Sequence, residues 1–172
     1  MSHEEHKHGA PASVAFAVLT VSDTRDEADD KTGQRLIQMA TDAGHALADY
    51  RIIRDEAEAI AMAVSAWTAD ARVQVIVVSG GTGISPRDVT VEAVRPLLEK
   101  ELQGFGEIFR ALSFKDIGSA AFLSRALCGT VRGKVVFCLP GSTGAATLAM
   151  ERLILPEAGH LCAMLHPGAK GL

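Results

Sequence analysis

The chain has 172 residues, 48% hydrophobic and 22% charged, a composition that excludes a disordered or collagen-like polypeptide and suits one globular domain. Its 17 Lys and Arg against 21 Asp and Glu leave a formal charge of −4, so neither nucleic acid nor an anionic membrane is expected as the main partner. No apolar run approaches the roughly 18 residues of a membrane span, and there is no signal-peptide core. With Cys128, Cys138 and Cys162 widely spaced and no CxxC pair, reduced thiols and a cytoplasmic location are expected.

In chain order, residues 1–12 read as a flexible polar tail carrying His3, His6 and His8, and residues 13–172 as a single domain. Residues 14–21 form a near-continuous apolar run, the pattern of a strand covered on both faces. A polar loop, 22–30, leads to a helix on which Leu36, Ile37 and Ala40 recur until Gly44 stops it. A second strand is expected over 45–53. The next helix starts at Asp55, with Glu58 three residues on as its capping partner, and buries Ile60, Val64 and Trp67. The third strand, 73–78, is the most apolar and runs straight into Ser79, Gly80, Gly81, Thr82 and Gly83. Helical pattern follows over 90–101 and 105–113, with a short helix over 117–123. Gly104 and Gly106 read as a helix break between the first two. A hairpin pairs 126–131 with 134–139 across Arg132-Gly133. The last helix begins near Gly141 and carries Leu148, Leu153 and Ile154. Strands alternating with amphipathic helices predict an α/β fold. It is a three-layer α/β/α sandwich around a mostly parallel central sheet, mixed at one edge.

In such a sheet, ligands bind beyond the carboxyl ends of the strands. The loop of Ser79 to Gly83 stands there, and its three glycines permit positive φ and close backbone approach to an anion, a phosphate above all. It matches neither GxGxxG nor a P-loop. Asp88 beside such a loop would repel phosphate unless a divalent cation lay between them, which suggests Mg²⁺; an Asx turn ahead of the next helix explains Asp88 equally. Asp55 is a helix cap, a ligand contact, or both. Pro140, Gly141 and Ser142, with Thr143 and Gly144, follow another buried strand and open a helix, a second anion-ready terminus. Two such loops on one edge suggest a ligand with more than one phosphate. His160, Cys162 and His166 read as packing, lacking a fourth ligand at metal spacing. A flavodoxin-like electron carrier is disfavoured by the single Trp and single Tyr.

The loop of Ser79 to Gly83 with Asp88-x-Thr90, Gly104-Phe-Gly-Glu107, Ser124-Arg125 and Leu139-Pro-Gly-Ser142 together resemble the MoaB/MogA family of molybdopterin-binding proteins in molybdenum cofactor biosynthesis. Leu19-Thr-Val-Ser-Asp23 and the Ala66-Trp67 helix place the resemblance nearest the B branch. It covers nearly the whole chain. The resemblance implies an α/β/α fold assembled as trimers or hexamers and binding molybdopterin. In the adenylyltransferase branch, AMP passes from Mg·ATP to the terminal phosphate of molybdopterin. The two acidic positions that matter there fall on Asp55 and Asp88, as catalytic and Mg²⁺-holding residues. Ser79, Gly80, Gly81, Thr82, Gly83, Pro140, Gly141 and Ser142 fall where the family holds phosphate and pterin groups. Pro140-Gly-Ser-Thr143 is the B-branch form of the late loop, where the other branch has Pro-Gly-x-Pro. The alternative is therefore an inactive molybdopterin-binding paralogue or carrier. The apolar stretches 105–114 and 117–123 suggest a subunit interface.

Overall fold

A computed structural model of the chain describes residues 10–166, so the histidines of the tail (His3, His6 and His8) lie outside the described residues. The elements run β1 (Ala15–Val21), α1 (Lys31–Asp42), β2 (Ala46–Ile53), α2 (Ala57–Ala69), β3 (Val75–Ser79) and α3 (Thr90–Val94). A 3₁₀ turn at Arg95–Leu97 leads to β4 (Lys100–Glu101), α4 (Gln103–Ile117) and a 3₁₀ segment at Gly118–Leu123. The chain then forms β5 (Leu127–Val131), β6 (Lys134–Leu139), α5 (Thr143–Ala149), a π-helical stretch (Met150–Ile154) and α6 (Ala158–Leu165).

The six strands lie in the order β2-β1-β3-β6-β5-β4. The first four are mutually parallel, and β5 runs antiparallel to both its neighbours. Alternate side chains of each central strand serve opposite faces. Phe16, Val18, Val75, Val77, Phe137 and Leu139 join a core with Leu36 of α1, Phe109 of α4, Ala146 of α5 and Cys162 of α6. Leu19, Ile76, Val78 and Cys138 join another with Ile60, Val64 and Trp67 of α2 and Val91 of α3. Both faces are covered, which is why these strands read as unbroken apolar runs. The hairpin turns at Arg132 (φ 48°) and Gly133 (φ 73°), the paired positive φ that matches strand twist.

Buried Asp30 fastens the first βαβ unit. Its carboxylate caps α1 through the Gly33 amide at 2.9 Å and accepts Thr20 Oγ1 of β1 at 2.5 Å and the Tyr50 hydroxyl of β2 at 2.6 Å. Burial and the neighbouring Asp30 carboxylate push the Tyr50 phenol above its ordinary range.

Four sequence expectations need correction. The helix over 90–101 is one short helix, a 3₁₀ turn and a strand, because Pro96 ends the α-helical ladder and Lys100–Glu101 pairs with β5. Gly104 and Gly106 lie inside the first turns of α4; a Cβ on Gly106 would sit 2.8 Å from the Ala126 carbonyl, so that glycine serves close packing. Asp55 does not cap α2: Glu56 holds the N-cap position, with no side-chain cap bond. The single last helix is two helices and a π-helical stretch, divided at Pro156.

Candidate functional site

Successive connections from β1 leave in opposite directions, through α1 to β2 and onward through α2 to β3, so a crevice opens between the carboxyl ends of β1 and β3. There a cleft of about 760 Å³ is walled by the loop after β1, Asp55 after β2, Gly80 to Gly83 after β3, and Pro140 to Ser142 after β6. Phe109, Ile117, Ala121 and Leu123 of α4 and the following 3₁₀ segment supply an apolar wall opposite. One side therefore suits charged phosphate and the other a flat, weakly polar ring.

The glycine loop is built for close approach. Gly80 has φ +109°, and a Cβ there would lie 2.2 Å from the Val21 carbonyl oxygen. Gly81 has φ +63°, and its Cβ would meet Thr90 Oγ1 at 2.3 Å and Asp55 Oδ1 at 2.8 Å. The Gly80 amide bonds the Leu139 carbonyl at 3.0 Å and Thr90 Oγ1 donates to the Gly80 carbonyl at 2.8 Å, which fixes the loop's root. The amides of Gly81, Thr82 and Gly83 find no acceptor among the described residues. Ser79 is buried and off the cleft wall; its hydroxyl donates to the Pro140 carbonyl at 3.4 Å and ties the two loops together. Gly141 passes close enough that a Cβ on it would stand 3.3 Å from Gly80 Cα. Ser142 is exposed at the N-cap of α5 without a side-chain cap bond.

The predicted carboxylates converge here. Asp88 Oδ2 accepts the Ser85 amide, three residues back, at 2.8 Å, while the Thr90 amide goes to the Gly81 carbonyl; Asp88 thus closes the turn before it and does not form the Asx turn expected ahead of the helix, and its side chain lines the cleft. Asp55 is partly buried, its amide donating to Asp23 Oδ1 at 3.3 Å. Burial, then the charges of Asp23 and Asp88, raise the Asp55 carboxyl above the usual range, with Arg87 opposing them. Asp23 is held low, first by its hydrogen bond from Arg87. Among the described residues no three Asp, Glu, His or Cys side chains stand at metal-binding spacing. The donor set thus fits Mg²⁺ shared between one or two carboxylates and substrate phosphates, not a dedicated protein cage.

Three contributions were legible in the sequence only in part or not at all. Arg125 Nε donates to the Gly83 carbonyl at 2.7 Å and its Nη2 to the Asp88 carbonyl at 2.8 Å, while Nη1 pairs with Glu92, so one guanidinium pins both ends of the loop. The hydroxyls of Ser113 and Ser124 are buried on the cleft wall with no partner among the described residues, a costly state that a polar ligand atom would relieve. Arg87, flanking Asp88, forks onto Asp23 across the cleft. Of these, the Ser124-Arg125 pair carried a motif signal and Arg87 a charge signal beside Asp88, while Ser113 carried none. His160 pairs with Glu157 at 2.9 Å, His166 Nε2 contacts the Gly133 carbonyl at 3.0 Å, and Cys162 lies in the core, so the three share no centre.

A cleft at the switch point of a doubly wound sheet, with carboxylates beside a glycine loop and an apolar wall facing it, defines an α/β protein of the open-sheet, ligand-binding kind. Residues 17–160 match the family model described as "Probable molybdopterin binding domain". The chain is 52% identical to molybdenum cofactor biosynthesis protein B of Bacillus cereus, over 96% of this chain and 99% of that one. A crystal structure of a molybdenum cofactor biosynthesis protein B superposes with a TM-score of 0.89 at 52% identity, covering 92% of this chain and 99% of that one. The tungsten cofactor synthesizing protein MoaB from Pyrococcus furiosus follows at 0.83 and 37% identity, covering 91% and 99%. The chain belongs to this molybdopterin-binding family of molybdenum cofactor biosynthesis proteins. Among the described residues no helix is long and apolar enough to cross a membrane.

Proposed function

We propose that residues 13–172 act as one cytoplasmic domain that binds molybdopterin and adenylylates its terminal phosphate with Mg·ATP. The observation that carries this reading is the meeting of two glycine loops, Asp55 and Asp88 in one cleft whose opposite wall is apolar. The pterin lies against Phe109 and Ile117, its polar edge answering the unpartnered Ser113 and Ser124 hydroxyls. The amides of Gly81 to Gly83 and the start of α5 at Pro140 to Ser142 orient the phosphates.

An oxygen of the ionised molybdopterin phosphate attacks the α-phosphorus of ATP. The new P–O bond forms as the bond to the bridging oxygen breaks, and pyrophosphate leaves with the charge. The nucleophile is already an anion, so no general base is required. Mg²⁺, when bound, neutralises charge on the leaving group, and Asp88 and Asp55 are the residues that would hold it. Arg125 keeps Gly83 and Asp88 at fixed spacing through the reaction.

The test is incubation with molybdopterin and Mg·ATP, followed by chromatography for adenylylated pterin and pyrophosphate. Wild-type protein forms both, and Asp88→Asn lowers turnover by about hundredfold or more. Pterin binding without product by the wild type favours the second reading, an inactive paralogue or carrier. That reading draws on the B-branch late loop, Pro140-Gly-Ser-Thr143. We propose in addition that the chain forms a trimer or hexamer through the apolar face of α4 and the 3₁₀ segment. Ile108, Phe114, Ile117 and Phe122 are each more than half exposed there, which light scattering of a monomer would refute.

A further inference from the structure

Two arginines line the cleft, and they are held differently. Arg25 is engaged by the Gly141 carbonyl, 3.4 Å from both terminal nitrogens, and stands 3.7 Å from buried Asp30. Among the described residues Arg87 makes one ion pair, with Asp23 of the facing loop; its Nη2 and Nε reach Asp23 Oδ2 at 2.6 and 3.1 Å. Both side chains are substantially exposed, 62% for Arg87 and 37% for Asp23, so the pair is solvated and weak enough to be exchanged. A polyphosphate on the glycine loop presents several negative charges and the same fork geometry to a guanidinium one residue from Asp88. Once Arg87 turns to it, Asp23 loses its ion-pair partner and Asp55 the nearby cation that offsets its charge, on a wall that also carries Asp88.

We propose that Arg87 is a phosphate-binding residue held in reserve by Asp23, and that its transfer to the substrate's polyphosphate couples anion binding to divalent-cation binding. The inference rests on the nucleotide reading above and assigns within it a positioning residue and the source of its metal requirement. Coupling of this kind is reciprocal: a cation shared between one or two of these carboxylates and the bound phosphates also favours the transfer of Arg87.

Calorimetric titration with inorganic tripolyphosphate, with and without Mg²⁺, tests this without any turnover. In the wild type the Mg²⁺ complex binds more tightly than the free anion. Asp23→Asn releases Arg87, raising affinity for the free anion about fivefold and shrinking the advantage of the Mg²⁺ complex. Arg87→Gln lowers affinity by a similar factor, and Arg87→Lys, which keeps the charge without the fork, lies between. In the Arg87→Gln background the gain from Asp23→Asn falls below about twofold, the signature of a pair acting as a unit. An equal gain in both backgrounds would mean only a change of overall charge and would overturn the proposal. Failure of the wild type to bind tripolyphosphate would overturn it too. Tripolyphosphate binding with this pattern but no adenylylated pterin defeats the catalytic reading and leaves this one intact. Product formation with no effect of Asp23→Asn does the reverse.

Discussion

Replacing Gly80 by alanine tests whether the floor of the cleft is set by backbone contact between β1 and the loop after β3. Two costs add. An L-residue held at φ +109° pays about 1–2 kcal/mol for the left-handed side of the map. The new Cβ stands 2.2 Å from the Val21 carbonyl oxygen, a backbone atom within the sheet, so relief requires moving a strand, and overpacking of this kind costs about 1–3 kcal/mol. The sum is about 3 kcal/mol. Gly44 supplies the control: its φ is +84°, yet nothing lies within 4 Å of its Cβ position, so Gly44→Ala pays conformational strain alone, about 1 kcal/mol. A difference of about 2 kcal/mol corresponds to about 4–8 °C in Tm for a chain of this size. Calorimetric or circular-dichroism melts of the two variants decide the matter. Equal melting temperatures would refute the claim that Val21 and Gly80 are in enforced contact.

Asp55→Asn should separate stability from function. The folded carboxyl titrates above its unfolded value of about 3.8, so stability is lost as pH rises through that interval; the variant melts higher than wild type at pH 7, matches it at pH 3, and forms no adenylylated product. His45 acts in a different window. Its Nδ1 accepts the Val14 amide at 3.3 Å and burial lowers its pKa, so stability is complete above about pH 6.5 and falls as pH drops toward the folded value. Denaturant titrations between pH 7.5 and 5.5 should show this slope in wild type and not in His45→Leu. Burial pushes the thiols of Cys138 and Cys162 up to about 12 and 11, and that of Cys128 higher still. A disulfide thiol reagent at pH 8 should therefore find no rapid reaction until the protein is unfolded, when all three cysteines respond.

The architecture was legible because strand burial writes itself directly into composition: the runs over 14–21 and 73–78 lack alternation since both sheet faces are covered. Arg132-Gly133 was equally plain, a two-residue link with a glycine between apolar runs, although nothing in the sequence announces the positive φ of Arg132. The segment after Thr90 carries helical apolar spacing through 101, but the missing donor of Pro96 decides where the helix stops. Asp55-x-x-Glu58 fits a cap in sequence, but the helix begins two residues later than Asp55 and frees that carboxylate for the cleft. Ser124 was legible only as part of the Ser124-Arg125 motif, and Ser113 not at all. A serine on an amphipathic helix or in a loop is ordinary, and only the packed structure reveals that no partner surrounds it.

The sheet order also divides the chain in two. The strands β1, β2 and β3 and the helices between them occupy residues 15–79, and Asp30 ties β1, α1 and β2 of that part together. The rest joins it by pairing β6 to β3, Val135 beside Val75, across as much sequence as separates Phe16 from Val75 within the first part. The cleft straddles that seam. Asp55 and Gly81 come from the early half, Phe109 and Gly141 from the late one, and the Gly80–Leu139 and Ser79–Pro140 hydrogen bonds stitch across it. An occupant of the cleft is therefore a clasp between two halves, absent while they are apart. Its binding energy is felt as slower unfolding of the joined molecule, not as faster folding of either part.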